Sequence, residues 1–264
     1  MRTAKTVLTV IQERGKQKKP IERVYKLLFN RELYLNAYAK LYPNNGAMTK
    51  GVTDETVDGM SIQKIDRMIE ILREEKYQWK PARREYIKKK NGKKRPLGIP
   101  VWGDKVLQEV MRQILEAYYE PQFSEHSHGF RPNRGCHTAL QEIQVWKGTR
   151  WFIEGDISQY FDTIDHKILL EILARNIHDG RFIRLVSNML EAGYLEEWKF
   201  NQTISGVPQG GVISPILANI YLNDFDNWIE EVLILKYTKG KRQKSNPEYN
   251  KLTAEIQKLR KEGD

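Results

Sequence analysis

WFIEGDISQYFDTID, residues 151–165, is the stretch on which the fold turns. An apolar run from Trp151 to Gly155 ends on Asp156, a pattern that predicts a strand carrying one carboxylate at its end. A strand is stiff enough to hold a hard oxygen ligand in place, so Asp156 is a candidate ligand for Mg2+. Taken alone, Asp156 has a plainer reading as a turn residue, because two-metal phosphoryl transfer needs more than one carboxylate. Asp162 and Asp165 lie past the predicted strand, and Asp165 sits where it would cap a helix beginning at residue 166.

Downstream, the periodicity predicts helices near 166–177 and 181–191 and a strand from Trp198 to Ile204. Then comes GVPQGGVISPILANIYLNDFD, residues 206–226. Pro208 and the Gly210-Gly211 pair break both strand and helix. Ser214 followed by Pro215 is a helix start, and the helix is predicted to run to Leu235. A glycine-rich turn ahead of a helix lets a phosphate or a base approach the backbone closely. From Lys236 onward the chain is polar, basic and weakly helical.

Upstream lies SHGFRPNRGCHTAL, residues 127–140, with Arg131 and Arg134 in a Gly/Pro-rich turn that feeds a helix from about His137. Guanidinium groups suit bidentate phosphate contacts. His128 and His137 have no apparent third ligand, so a metal site is not expected there. The clearest helix is 104–119, where Leu107, Val110, Met111, Ile114, Leu115 and Tyr118 keep helical spacing. Before it, Tyr86-Ile87, Asn91-Gly92 and Leu97-Gly98-Ile99 read as a tight hairpin. Its tip is ringed by Lys88, Lys89, Lys90, Lys93, Lys94 and Arg95, whose mutual repulsion an anionic ligand would relieve. Ser61 is positioned to cap a helix with an apolar face of Ile62, Ile65, Ile69 and Leu72. Residues 42–60 read as a loop, and Ile21, Val24, Leu27 and Leu28 keep helical spacing near the basic start.

The chain has 264 residues and a net charge of +10. Residues 1–31 carry 9 basic and 2 acidic side chains, residues 80–95 carry 9 and 1, and residues 236–261 carry 9 and 2. Those segments hold +22 and leave −12 for the rest, a clustering that fits a polyanionic partner, although solvated charge runs are the bland alternative. A single cysteine, Cys136, excludes an intrachain disulfide and a thiolate zinc cluster. No apolar run approaches a membrane span and no signal-peptide pattern appears, so no membrane partner is expected and the reading is cytoplasmic.

RPLGIP, GFRPNRG, GDISQYFDTID and GVPQGGVISPILANIYL, in this order, resemble the fingers and early palm of group II intron-encoded reverse transcriptases/maturases, from about Leu27 to Lys261. The resemblance implies an α+β fold: helix-rich right-hand polymerase fingers with a partial palm β-sheet. It divides the chain into a basic N-terminal extension (1–30), fingers (31–150), partial palm (151–235) and a basic insertion or truncated tail (236–264). It implies that Asp156 and the Ile157 carbonyl bind Mg2+, that Phe161 lies under the incoming sugar, and that Gln209 contacts the incoming nucleotide. Lys89 and Arg95 would hold the triphosphate. Lys88, Lys90, Lys93, Lys94, Arg131, Asn133, Arg134 and the extension's Lys16, Lys18, Lys19 and Arg23 would face RNA. Partners implied are group II intron RNA, an RNA template with a DNA primer, a dNTP and a second copy of the chain. The origin implied is bacterial or organellar, the setting intron splicing and retroelement mobility.

One departure dominates. The family's remaining metal ligands sit in a Tyr-Ala-Asp-Asp hairpin after the long helix, and no Asp-Asp pair occurs in this sequence. Tyr194-Leu195-Glu196-Glu197 is out of order and reads as an exposed turn. The expectation is therefore a fragment of an RNA-directed DNA polymerase, inactive alone, that acts as an RNA-binding module.

Overall fold

The computed structural model describes residues 2–88, 92, 94–146, 152–197, 199–203, 205–207, 210–238 and 246–262. Helix α4 (Trp102–Tyr119) is its spine: Val106, Leu107, Val110, Met111, Ile114 and Leu115 are fully enclosed, as their spacing predicts. Helix α1 (Ala4–Lys16) lies along it. The approach is so close that a methyl group on Gly15 would fall 2.1 Å from the Tyr118 carbonyl oxygen, so only glycine fits. Helices α2 (Arg31–Leu41) and α3 (Ile62–Arg73) complete this half of the core. Ser61 caps α3 through the Lys64 amide at 3.2 Å. Ile65, Ile69 and Leu72 are buried there, but Ile62 is exposed in the first turn.

The helical spacing near the start does not form one helix. Ile21–Glu22 is a strand, β1, and Val24–Phe29 a separate 3-10 turn. Arg23 between them has φ 54°, a left-handed conformation that a helix cannot include. Strand β1 pairs in parallel with β4 (Ile177–His178).

A basic hairpin forms, but the five residues between the paired Lys88 and Lys94 are an odd number, a register that a two-residue Asn91-Gly92 turn would not leave, and Asn91 itself lies outside the described residues. Strands β2 (Ala82–Lys88) and β3 (Lys94–Ile99) are antiparallel, with Arg83 opposite Ile99 and Lys88 opposite Lys94. Strands β5 (Tyr194–Glu196) and β6 (Lys199–Asn201) extend the sheet in the order β3-β2-β5-β6, with β5 parallel to β2. Tyr194–Glu196 is thus a half-buried strand rather than the exposed turn expected, because β2 and β6 satisfy its backbone on both sides.

Helices α5 (Cys136–Gln144), α6 (Tyr160–Thr163), α7 (His166–Asn176), α8 (Gly180–Leu190) and α9 (Ser214–Trp228) follow. Helix α9 continues through a wider π turn at Ile229–Ile234 into α10 (Leu235–Tyr237), and α11 spans Pro247–Glu262. The result is a helix-rich α+β fold. No helix among the described residues is long and apolar enough to cross a membrane.

The strand expected at Trp151–Gly155 is not formed. Trp151 lies outside the described residues, and 152–157 make no backbone hydrogen bond to any described residue. Phe152 is 69% exposed and Ile153 92%. An apolar segment becomes a strand only beside another strand, and none of the described strands runs alongside it.

Candidate functional site

A cleft of about 1010 Å3 opens between the basic hairpin, the segment around Asp156 and residues 202–203 and 205–207. Alternation along β2 places Arg84 and Tyr86 on one face. Their cross-strand partners, Gly98 and Pro96, are small and leave that face open. The Arg84 guanidinium lies 3.8 Å over the Tyr194 ring, and the Tyr86 hydroxyl donates to the Glu196 carboxylate at 2.6 Å. That bond to a carboxylate pushes the Tyr86 phenol pKa up. Lys94 sits 5.9 Å over the Tyr86 ring, and Arg95 lines the same wall.

Asp156, Ser158, Phe161 and Asp162 form the facing wall. Phe161, in α6, packs edge-on against Tyr160 and Phe130, with ring centres 5.7 and 6.3 Å away. Tyr160 is fixed in turn by its hydroxyl, which donates to the Ala218 carbonyl at 2.7 Å, and burial raises its pKa. The connection before α9 is stitched to this turn: the Gly206 amide donates to the Ile164 carbonyl and the Val207 amide to the Phe161 carbonyl, both at 2.8 Å. Gly206 has φ +86°, and a methyl group on it would meet the Asp162 backbone at 2.8 Å. Asp165 caps α7 through the Ile168 amide at 3.0 Å, as its position predicts.

The glycine-rich loop is pinned from two directions. A methyl group on Gly210 would come within 2.6 Å of the Gly98 carbonyl oxygen, and the Val212 amide donates to Gln108 of α4 at 2.9 Å. Gln209 belongs to that loop but lies outside the described residues, as do Lys89, Lys90 and Lys93.

The structure therefore brings together Lys94, Arg95, Asp156 and Phe161 from the sequence candidates. Lys88 is exposed at the end of β2, and Ile157 is 51% exposed beside Asp156. Lys16, Lys18, Lys19 and Arg23 are exposed near the end of α1 and do not line the cleft. Arg131 corrects the expectation of an RNA contact. It is only 7% exposed, its guanidinium meets the Glu120 carboxylate at 3.0 Å, and it donates to the Ser124 and Ser127 carbonyls at 2.6 and 2.7 Å. An arginine so enclosed fixes the turn and presents no phosphate-binding fork. Arg134 is likewise engaged, with the Glu125 carboxylate and carbonyl. Asn133 occupies a left-handed position in the turn, φ 59°. His128 shares Glu142 with His126, which ties α5 to the preceding loop.

Sequence reasoning missed Arg84, Tyr86, Glu196 and Gln108. The alternation of β2 was signal enough to place Arg84 and Tyr86 together; the other two depend on tertiary contacts. As for Mg2+, Asp156 offers an exposed carboxylate, but among the described residues no group of three His, Cys, Asp or Glu side chains converges. The donor set present is partial.

A family model described as reverse transcriptase (RNA-dependent DNA polymerase) matches residues 87–238. The chain is 47% identical over 239 residues to Group II intron-encoded protein LtrA of Lactococcus lactis subsp. cremoris, covering 90% of this chain and 40% of LtrA. It is 47% identical over 237 residues to the 91 kDa protein in cob intron of Schizosaccharomyces pombe, covering 87% of this chain and 29% of that protein. Among solved structures, a partial Cas6-RT-Cas1–Cas2 complex superposes with a TM-score of 0.52 at 21% identity, over 79% of this chain and 35% of that one. That similarity is one of fold.

Proposed function

The chain belongs to the reverse transcriptase family, among the group II intron-encoded members, and from this we propose that its cleft is the nucleotide- and template-binding side of an RNA-directed DNA polymerase site. One observation carries the reading: a single cleft joins the hairpin cations to Asp156 and Phe161. Cations on a sheet and a carboxylate facing them suit a phosphate chain whose far end meets a divalent ion. Lys94 and Arg95, with Lys89 at the tip, hold the triphosphate of the incoming dNTP. The Phe161 ring supports its sugar, and Gln209 reaches the nucleotide from the glycine-rich loop. The Lys88, Lys90 and Lys93 cluster, with Lys16, Lys18, Lys19 and Arg23, meets template and intron RNA through phosphates.

Asp156, with the Ile157 carbonyl, contributes to Mg2+ binding. When bound, Mg2+ neutralises charge on the reacting phosphate. Two such ions need more oxygen ligands than the described residues bring together, so no metal-dependent step is assigned to them. The chain by itself binds RNA and nucleotide and does not extend a primer.

The test is binding of a labelled RNA–DNA duplex and of dNTP to the full chain across a salt series. The Lys94→Ala/Arg95→Ala variant should weaken both several-fold and flatten the salt dependence. Both residues are exposed, so stability should change by no more than about 0.5 kcal/mol. Unchanged affinity with an intact fold would refute the reading; primer extension by the pure chain, lost on Asp156→Ala, would show that the chain holds a further metal ligand and contradict its inactivity alone.

A further inference from the structure

Helix α11 (Pro247–Glu262) is firmly started. Pro247 is its first residue, and the Asn246 side chain accepts from the Glu248 amide at 3.0 Å. Along it Tyr249, Leu252, Ile256 and Leu259 are each more than half exposed. Among the described residues, none of the four joins the hydrophobic core or packs against it. They are spaced three, four and three residues apart, which lines them up on one side of the helix. That spacing gives the a and d positions of two successive heptads, with Tyr249 and Ile256 at a and Leu252 and Leu259 at d. Single apolar residues scattered on a surface need no partner, whereas a continuous apolar stripe marks an interaction face.

The flanks of the stripe identify the partner. Glu248, Glu255 and Glu262 occupy the g positions, and Thr253 and Arg260 the e positions. In a parallel pair of identical helices, each g residue faces the e residue five places later on the other helix. Glu255 then meets Arg260 of the second copy, and two-fold symmetry makes that contact twice. An antiparallel pair sets g against g and e against e, which brings glutamate to glutamate. Within one helix Glu255 and Arg260 are five residues apart and do not face each other. Ile256 at a, with leucine at both d positions, favours two strands. The polar side mixes these three glutamates with Lys251, Lys258 and Lys261, which suits neither a phosphate backbone nor an anionic bilayer.

We propose that α11 is a self-association helix, through which two copies of the chain pair in parallel and in register. The helix has 16 residues, so the seam is short and the pairing reversible and dependent on concentration. This pairing is independent of the nucleotide-binding reading of the cleft.

The experiment is sedimentation of the full chain over a concentration range of about a hundredfold, in which monomer should give way to dimer. Ile256→Lys should keep the chain monomeric throughout. Its melting temperature at low concentration should match that of the wild type, because Ile256 is exposed in the single chain. Glu255→Lys and Arg260→Glu should each weaken association several-fold by setting like charges across the seam. An equimolar mixture of those two variants should associate as the wild type does, since each mixed pair restores opposite charges at both contacts. A wild type that stays monomeric would overturn the proposal, and so would a dimer that Ile256→Lys leaves intact. Tighter association of Glu255→Lys would reveal an antiparallel pair and contradict the parallel one. A lower melting temperature of Ile256→Lys in the monomer would place the stripe against the chain's own surface and refute self-association through it.

Discussion

Strands β2 and β3 lie side by side for six residue pairs, from Arg83 opposite Ile99 to Lys88 opposite Lys94, whereas the 152–157 segment, whose Asp156 borders the same cleft, has none of the described strands beside it. Ile99 is 8% exposed and Ile153 92%. Both stretches are rich in strand-forming residues, so propensity does not separate them. The difference is the source of the partner. The hairpin brings its own second strand across a short connection, and β5 joins its other edge. The 152–157 segment needs a strand from elsewhere, and its carboxylate, Asp156, is correspondingly placed without a ladder behind it. The cationic wall of the cleft is preformed, and the acidic wall is held from Tyr160 onward.

The largest effect that sharpens this contrast is in the core. Leu107→Ala, in the helix to which the hairpin is fastened, should cost about 2–5 kcal/mol, while Ile153→Ala should change stability by less than about 0.5 kcal/mol. Denaturant midpoints of the two variants read this directly. Comparable losses would mean that Ile153 is packed after all.

Next is the joint that holds the acidic wall. Gly206→Ala forces a left-handed alanine against the Asp162 backbone and should cost on the order of 2 kcal/mol. It should also displace Phe161, seen as weaker nucleotide binding at temperatures where the variant is folded. A neutral outcome would show that the 205–207 connection does not position Phe161.

The third effect tests the hairpin's attachment through pH. Asp104 of α4 accepts from the Tyr77 hydroxyl at 2.6 Å and from the Lys80 amide, just ahead of β2, at 3.0 Å. Burial, opposed by those two bonds, pushes its carboxyl up to about 6. The folded chain therefore keeps a proton that the unfolded chain releases near pH 4. Stability should fall by on the order of 2 kcal/mol as pH rises from about 4 to about 6 and then level off. Asp104→Asn should remove that part of the pH dependence. A wild type and variant with parallel profiles would show that Asp104 is ionised in the folded state.

What was legible in the sequence follows the same division. Helix α4, the Ser61 and Asp165 caps, the two strands of the basic hairpin and the Ser214 helix start rest on local signals, and each stands where the residues placed it. The misreadings required knowledge of distant partners. Residues 152–157 have strand sequence without a neighbour. Tyr194–Glu196 looks like a turn until β2 and β6 flank it. Arg131 looks like a phosphate ligand until Glu120 and two carbonyls enclose it. Of the candidate site, the types and approximate place of Lys94, Arg95, Asp156 and Phe161 were readable; Arg84 stacked on Tyr194, and Gln108 bracing the glycine-rich loop, were not.

Hydrogen exchange on the intact chain, resolved by residue, tests the central contrast most directly. Amides of 84–88 and 95–98 that bond across the hairpin should exchange slowly, and those of 152–157 should exchange at close to the free-peptide rate. A polypeptide carrying the family's Tyr-Ala-Asp-Asp hairpin should then protect 152–157 and leave the basic hairpin unchanged. Strong protection of 152–157 in the chain alone, equal to that of β2, would contradict the account.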